Sequence, residues 1–173
     1  MVVFDYSESK VETKYITIEK DTLCCVGMEV YHATFRNFPV LRIENLKLED
    51  CIFENCNTVY LTDCDASGCS FSGIDTLYAD NTPLSNCAFT HLRCDNDCIL
   101  CLEDSQISFC SFEDIELVNG AYLTNGVGDS WIETCRFEDV RTDREDRVII
   151  FCKETVGRII KRKKQFCIVD EES

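Results

Sequence analysis

Between residues 35 and 89 the chain repeats itself every eighteen residues, and phenylalanine with cysteine carries the repeat: Ala33-Thr34-Phe35, Cys51-Ile52-Phe53, Cys69-Ser70-Phe71 and Cys87-Ala88-Phe89. The motif returns at wider spacing as Cys110-Ser111-Phe112 and Cys135-Arg136-Phe137. A unit this short cannot bury an apolar face of its own. Self-similarity on this scale therefore predicts a solenoid in which each unit stacks on its neighbours.

Three units align without gaps, 22–39, 40–57 and 58–75, and Thr76 opens a fourth. Within a unit the apolar or small residues take the second, fourth, seventh, ninth, twelfth, fourteenth and seventeenth places. The second unit supplies Leu41, Ile43, Leu46, Leu48, Cys51, Phe53 and Cys56; the third supplies Val59, Leu61, Cys64, Ala66, Cys69, Phe71 and Ile74. A step of two returns a side chain to the same face of a strand, and each added residue marks a corner. Helix needs steps of three and four, so this region is not helical. Short strands joined by frequent corners wind into a tube whose lumen receives these residues. Phenylalanine then forms a ladder from coil to coil, with a cysteine ladder two residues before it.

Leu48-Glu49-Asp50, Cys51-Ile52-Phe53-Glu54-Asn55 and Cys69-Ser70-Phe71-Ser72-Gly73 resemble the unit of the pentapeptide-repeat proteins. In that family a right-handed quadrilateral β-helix centres each unit on a large apolar residue with a small one two positions earlier. The resemblance runs over about 22–140, and because the family's coil is slightly longer than eighteen residues it implies that one side here is short. The wider units after residue 92 resemble instead the right-handed β-helices of the pectate-lyase type. Either resemblance implies an all-β fold, a single-stranded right-handed parallel β-helix, and the repeats suffice for about six to seven coils at ~4.8 Å each.

The whole chain, 1–173, reads as one domain: an N-terminal cap over 1–21, coils over 22–140, and a last strand with a C-terminal cap over 141–173. Val2-Val3-Phe4 and Tyr15-Ile16-Thr17-Ile18 alternate as capping strands do, and a cap is needed because an open coil end exposes unpaired edge amides. Residues 147–151 read as a further strand, 156–164 as a short basic helix or a hairpin, and 170–173 as a frayed end. Insertions fall at 94–98 and 123–130, where Asn125-Gly126-Val127-Gly128-Asp129 signals a turn. They are expected to be loops, which commonly carry specificity.

No apolar run is long enough to span a bilayer, and Met1-Val2-Val3-Phe4-Asp5 does not open a signal peptide, so a cytoplasmic location without membrane contact is expected. Fourteen cysteines would suit a disulfide framework. Their register argues for reduced thiols, since Cys51, Cys69, Cys87, Cys110 and Cys135 share one inward place, where cysteine serves as a small buried hydrophobe.

Charge is the other constraint: 32 acidic against 17 basic residues give a net charge of -15, which disfavours direct contact with nucleic acid. Glu44, Asp63, Asp80, Glu103 and Asp104 follow the first strand of successive coils, and Glu54, Glu113, Asp114, Glu138 and Asp139 follow the phenylalanine. Stacking is expected to align each set into a ribbon of negative charge. Such ribbons either keep the tube soluble or imitate the phosphate backbone of a duplex.

Other candidates carry less. His91, Cys94, Cys98 and Cys101 provide four ligands suited to tetrahedral zinc within eleven residues, but cysteine is so frequent here that no metal or other cofactor is expected. Asp63 with Asp65, or Asp80 with Asp104, would be the carboxylate pairs of a carbohydrate-active β-helix. No phosphate loop or nucleophile elbow is present, and the histidines are only His32 and His91, so the chain is not expected to be an enzyme. Arg158-Ile159-Ile160-Lys161-Arg162-Lys163-Lys164 reverses the local sign and reads as a cap over the last coil's acids, with a localisation signal or a tether as other readings. Trp131 and Tyr122 flank the Gly-rich segment as anchors or as buried packing.

The expectation is therefore a non-enzymatic acidic protein that mimics nucleic acid and inhibits a nucleic-acid-binding protein through that partner's basic groove. The pentapeptide-repeat resemblance implies topoisomerase as one such target. A phage-encoded anti-CRISPR or other anti-defence inhibitor fits the same description. The alternative is a carbohydrate-active or carbohydrate-binding β-helix; a scaffold role in a larger assembly is a third.

Overall fold

The computed structural model describes residues 2–5, 16–19, 22–26, 29–95, 97–143, 150–151, 154–156, 158–162 and 165–169, with side-chain surroundings for 29–95 and 97–143. Among these residues every regular element is a strand. The molecule is a parallel β-solenoid with three sheets as its sides.

The wide side is built from β3 (Thr22–Val26), β6 (Val40–Glu44), β9 (Thr58–Thr62), β12 (Thr76–Asp80), β15 (Cys98–Glu103), β18 (Tyr122–Val127) and β21 (Ile150–Phe151). The short side stacks β4 (Glu29–Tyr31), β7 (Lys47–Glu49), β10 (Asp65–Ser67), β13 (Leu84–Ser85), β16 (Gln106–Ser108), β19 (Trp131–Glu133) and β22 (Glu154–Val156). The phenylalanine side stacks β5 (Ala33–Arg36), β8 (Ile52–Glu54), β11 (Ser70–Ser72), β14 (Ala88–Asp95), β17 (Ser111–Val118) and β20 (Arg136–Thr142).

Five complete coils run from β6 to β20, fewer than the six or seven expected; the coil from β3 to β5 is broken by residues outside the described set. At the N-terminal end β1 (Val2–Asp5) adds parallel to β5 and β2 (Ile16–Glu19) pairs antiparallel with β3, in keeping with the expected cap. At the other end β23 (Arg158–Arg162) and β24 (Gln165–Val169) form an antiparallel hairpin docked on β20, so the basic segment is a hairpin strand and not a helix. Residues 147–149, 163–164 and 170–173 lie outside the described residues, as do most of 1–21.

Three corners of each early coil place a residue in the left-handed backbone region. In the second unit these are Asn45, Asp50 and Asn55, with φ of 56, 52 and 52°. They fall where the apolar pattern takes its steps of three. Asparagine, aspartate and glycine recur at these columns because a short polar side chain, or none, tolerates positive φ. After the third corner the early coils cross only two residues before the wide side resumes, which makes a short fourth side.

Later coils lengthen that fourth side instead of throwing out loops. Coils of 18 residues (Leu41 opposite Val59, then Leu77) give way to 23 (Leu77 opposite Leu100), 24 (Leu100 opposite Thr124) and 26 (Thr124 opposite Ile150). Strands β14, β17 and β20 continue past left-handed His91, Asp114 and Asp139, pairing Leu92 with Ile115 and Val140, and Cys94 with Leu117. The insertion expected at 94–98 is thus largely strand, and 123–127 belongs to β18 with the turn confined to Gly128 at φ 65°. Backbone amides at lumen depth need partners, and an added parallel rung supplies them where a loop would not.

The core follows the predicted inward places, and those of the second and third units are all buried. Phe35, Phe53, Phe71, Phe89, Phe112 and Phe137 stack in sequence with ring centroids 4.6 to 5.1 Å apart and interplanar angles of 6 to 15°. In-register parallel pairing sets this spacing, close to that between neighbouring strands.

Cysteine at the column before the phenylalanine does more than fill space. The amide of Cys87 donates to the thiol of Cys110 (3.3 Å), which itself donates to Ser108 O (3.3 Å) and Leu84 O (3.5 Å). At the corner after the wide side, hydroxyls do the same: Cys64 N donates to Thr82 Oγ1 (3.1 Å), Thr82 N to Ser105 Oγ (2.9 Å) and Ser105 N to Ser130 Oγ (3.2 Å). A residue just past a corner points its amide away from the ladder, and a small side chain from the next coil satisfies it. Among the described residues eight cysteines are buried free thiols, and burial pushes the pKa of the Cys56 thiol up to about 11. Cys98 and Cys101 depart from the expectation of reduced thiols: they form a disulfide within β15, with Cα atoms 6.4 Å apart.

Candidate acidic recognition surface

The wide side ends each coil with an outward residue followed by a left-handed corner. Register aligns the outward column as Glu44, Thr62, Asp80, Glu103 and Val127. The corner column beside it is Asn45, Asp63, Asn81, Asp104 and Gly128. Asp63 and Asp104 therefore stand one place off the row of Glu44, Asp80 and Glu103, and no single ribbon forms. The two columns together form an edge strip that receives a carboxylate from every coil between β6 and β15: Glu44, Asp63, Asp80, then Glu103 with Asp104.

All five are exposed, and among the described residues none is in an ion pair. Asp63 accepts from Asn81 Nδ2 (2.7 Å) and Asp104 accepts from the amide of Asp129 (2.7 Å), neutral donors that hold the carboxylates without cancelling their charge. At ~4.8 Å per coil the strip carries anionic charge somewhat more sparsely than one DNA strand, where successive charges rise ~3.4 Å.

The second set is arranged differently. Its outward column reads Arg36, Glu54, Ser72, Thr90, Glu113 and Glu138, and its corner column Asn37, Asn55, Gly73, His91, Asp114 and Asp139. Cations are interleaved: Arg136 meets Glu138 at 2.7 Å, Arg93 meets Glu116 at 3.0 Å, and Asp114 holds both His91 (2.8 Å) and Arg141. The hydrogen bond from His91 keeps the Asp114 carboxyl below its ordinary range, with Arg141 adding to the effect. Stacking breaks both predicted ribbons, but only the first set forms a strip without cations.

The zinc candidates do not meet. His91 is an exposed corner residue bound to Asp114, Cys94 is buried in the lumen, and Cys98 is bonded to Cys101. Among the described residues no group of three or more histidines, cysteines or acids is placed to hold a metal ion. Of the carboxylates named as pairs, Asp63 accepts from Asn81, Asp104 accepts from the amide of Asp129, and Asp80 stands opposite Glu103 of the next coil. Trp131 and Tyr122 are half-buried, Trp131 opening β19 after the turn at Gly128 and Tyr122 opening β18.

One outward column was overlooked in the residue pattern. The third place of the unit holds Arg42, Tyr60 and Tyr78. Arg42 lies over the Tyr60 ring with Cζ 4.0 Å from its centroid, and Tyr60 stacks on Tyr78 at 4.7 Å. Eighteen-residue recurrence of long planar side chains at an outward place was the available signal. This stack runs beside the acidic strip on the same sheet.

Among the described residues no helix is long and apolar enough to cross a membrane. Comparison with protein-family models, with curated proteins and with solved structures finds no match to this chain.

Proposed function

We propose that the chain is a non-enzymatic binding protein whose acidic strip occupies the basic groove of a nucleic-acid-binding protein, in place of that protein's nucleic acid. The observation that supports this is the contrast between the two acidic sets. Glu44, Asp63, Asp80, Glu103 and Asp104 carry no cation partner among the described residues, whereas arginines and His91 pair with members of the other set. Acids kept only for solubility gain nothing from being gathered along one edge, because neighbouring like charges repel. A rigid rod with a linear anionic edge is suited to a groove built for a phosphate backbone.

Inhibitors of topoisomerases and of phage-defence nucleases, anti-CRISPR proteins among them, would act in this way, and cytoplasmic action is part of the same proposal. Carbohydrate recognition has less support, since Tyr60 is covered on both faces, by Arg42 and by Tyr78, which leaves a sugar ring only the outer face of Tyr78 to stack on.

The test is competition. A partner recovered from the native host should release its nucleic acid as this protein is added, and its affinity should fall steeply between low and physiological salt. Replacing Glu44→Gln, Asp80→Asn and Glu103→Gln together should weaken binding far more than Glu113→Gln with Glu138→Gln. Equal effects from the two sets, or a partner that keeps its nucleic acid, would sink the proposal.

A further inference from the structure

The Arg42–Tyr60–Tyr78 stack ends abruptly. The next rung of that column is Cys101, whose sulfur is bonded to Cys98, so among the described residues the column brings no long side chain to the second face of Tyr78. Tyr78 is 37% exposed and makes no ring contact other than with Tyr60 among the described residues. Asp80 and Glu103 stand at the end of the same two strands, two residues along.

We infer that this open face of Tyr78 is a subsite for a guanidinium group of the partner, with Asp80 and Glu103 receiving its N–H donors. The molecule already contains the interaction at the opposite end of the stack, where its own Arg42 covers Tyr60. An aromatic face attracts a cation through its quadrupole, and carboxylates at the ring margin add hydrogen-bonded charge. Arginine fits better than lysine, because its planar, weakly hydrated head can stack and bond to carboxylates together. The inference rests on the proposed binding of a basic groove and names the residue type that the groove should present at this point.

Octa-arginine and octa-lysine peptides, titrated calorimetrically against the full chain at equal low ionic strength, test it. Octa-arginine should bind more tightly. Tyr78→Leu should weaken octa-arginine binding by roughly two- to five-fold and octa-lysine binding less, while Tyr78→Phe retains the arginine preference. Unchanged melting of both variants shows that the fold is kept. No effect of Tyr78→Leu, an equal loss for the two peptides, or failure of both to bind overturns the subsite. Its fate is separable from that of the parent reading. Arginine preference without displacement of nucleic acid leaves the subsite standing and removes the mimicry, and displacement undiminished by Tyr78→Leu does the reverse.

Discussion

The amide of Cys87 donates to the thiol of Cys110 across one coil at 3.3 Å, in the same relation that joins the amide of Cys64 to the hydroxyl of Thr82 at 3.1 Å. Thiol and hydroxyl are therefore alternative answers to one need, a partner for the amide that follows a corner.

Replacing Cys110 separates bulk from bonding. Cys110→Ala strands the Cys87 amide and should cost about 1–3 kcal/mol, the penalty for an unsatisfied buried donor. Cys110→Ser should cost less, because a hydroxyl already serves at Thr82, Ser105 and Ser130. Urea denaturation of both variants decides, and equal losses would mean that the thiol acts as volume alone.

Phe71 stacks between Phe53 at 4.6 Å and Phe89 at 5.0 Å, fully buried in the middle of the ladder. Phe71→Ala should destabilise by about 3–5 kcal/mol, since flanking rings held by the strand register cannot collapse into the gap. A loss under about 1 kcal/mol in equilibrium unfolding would contradict this packing.

Phe109 occupies a left-handed corner, φ 54°, and is 59% exposed, whereas the same column holds Asp50, Gly68 and Asn86 in preceding coils. A bulky side chain in this region is strained. Phe109→Asn should therefore raise stability by about 1 kcal/mol, read as a higher urea midpoint. A lower midpoint would show that the ring makes contacts outweighing the strain.

Asp114 links acid sensitivity to one corner. Its carboxyl is held below the ordinary range, chiefly by the hydrogen bond from His91 and further by Arg141. A depressed carboxyl contributes stability that is present above its unfolded pKa and is lost as pH falls through the folded value. In His91→Gln the Asp114 titration, followed by carboxyl NMR, should move up toward the normal aspartate range. An unmoved titration would assign the depression to Arg141.

Much of the architecture was legible before any coordinates. The eighteen-residue recurrence and the alternation of steps of two and three placed every inward residue of the second and third units, the phenylalanine ladder and the corners. These are local properties: the pleat returns a side chain to one face every two residues, and a corner needs a residue that accepts positive φ. The sequence alone also located the strongest charge imbalance and both sets of acids.

Tertiary structure decided what depends on pairing between residues 18 to 26 positions apart. The extra residues after Leu92 were absorbed into a lengthened fourth side, because lumen-depth amides find partners in another parallel rung. That choice sets the register of every later coil, and with it which acids become neighbours. It aligned Asp80 with Glu103 on an edge free of cations, interleaved the second set with Arg136 and Arg141, and put Cys101 beside Tyr78. Spacing along the chain cannot supply these relations, since a one-residue shift between coils turns a side chain from one face to the other.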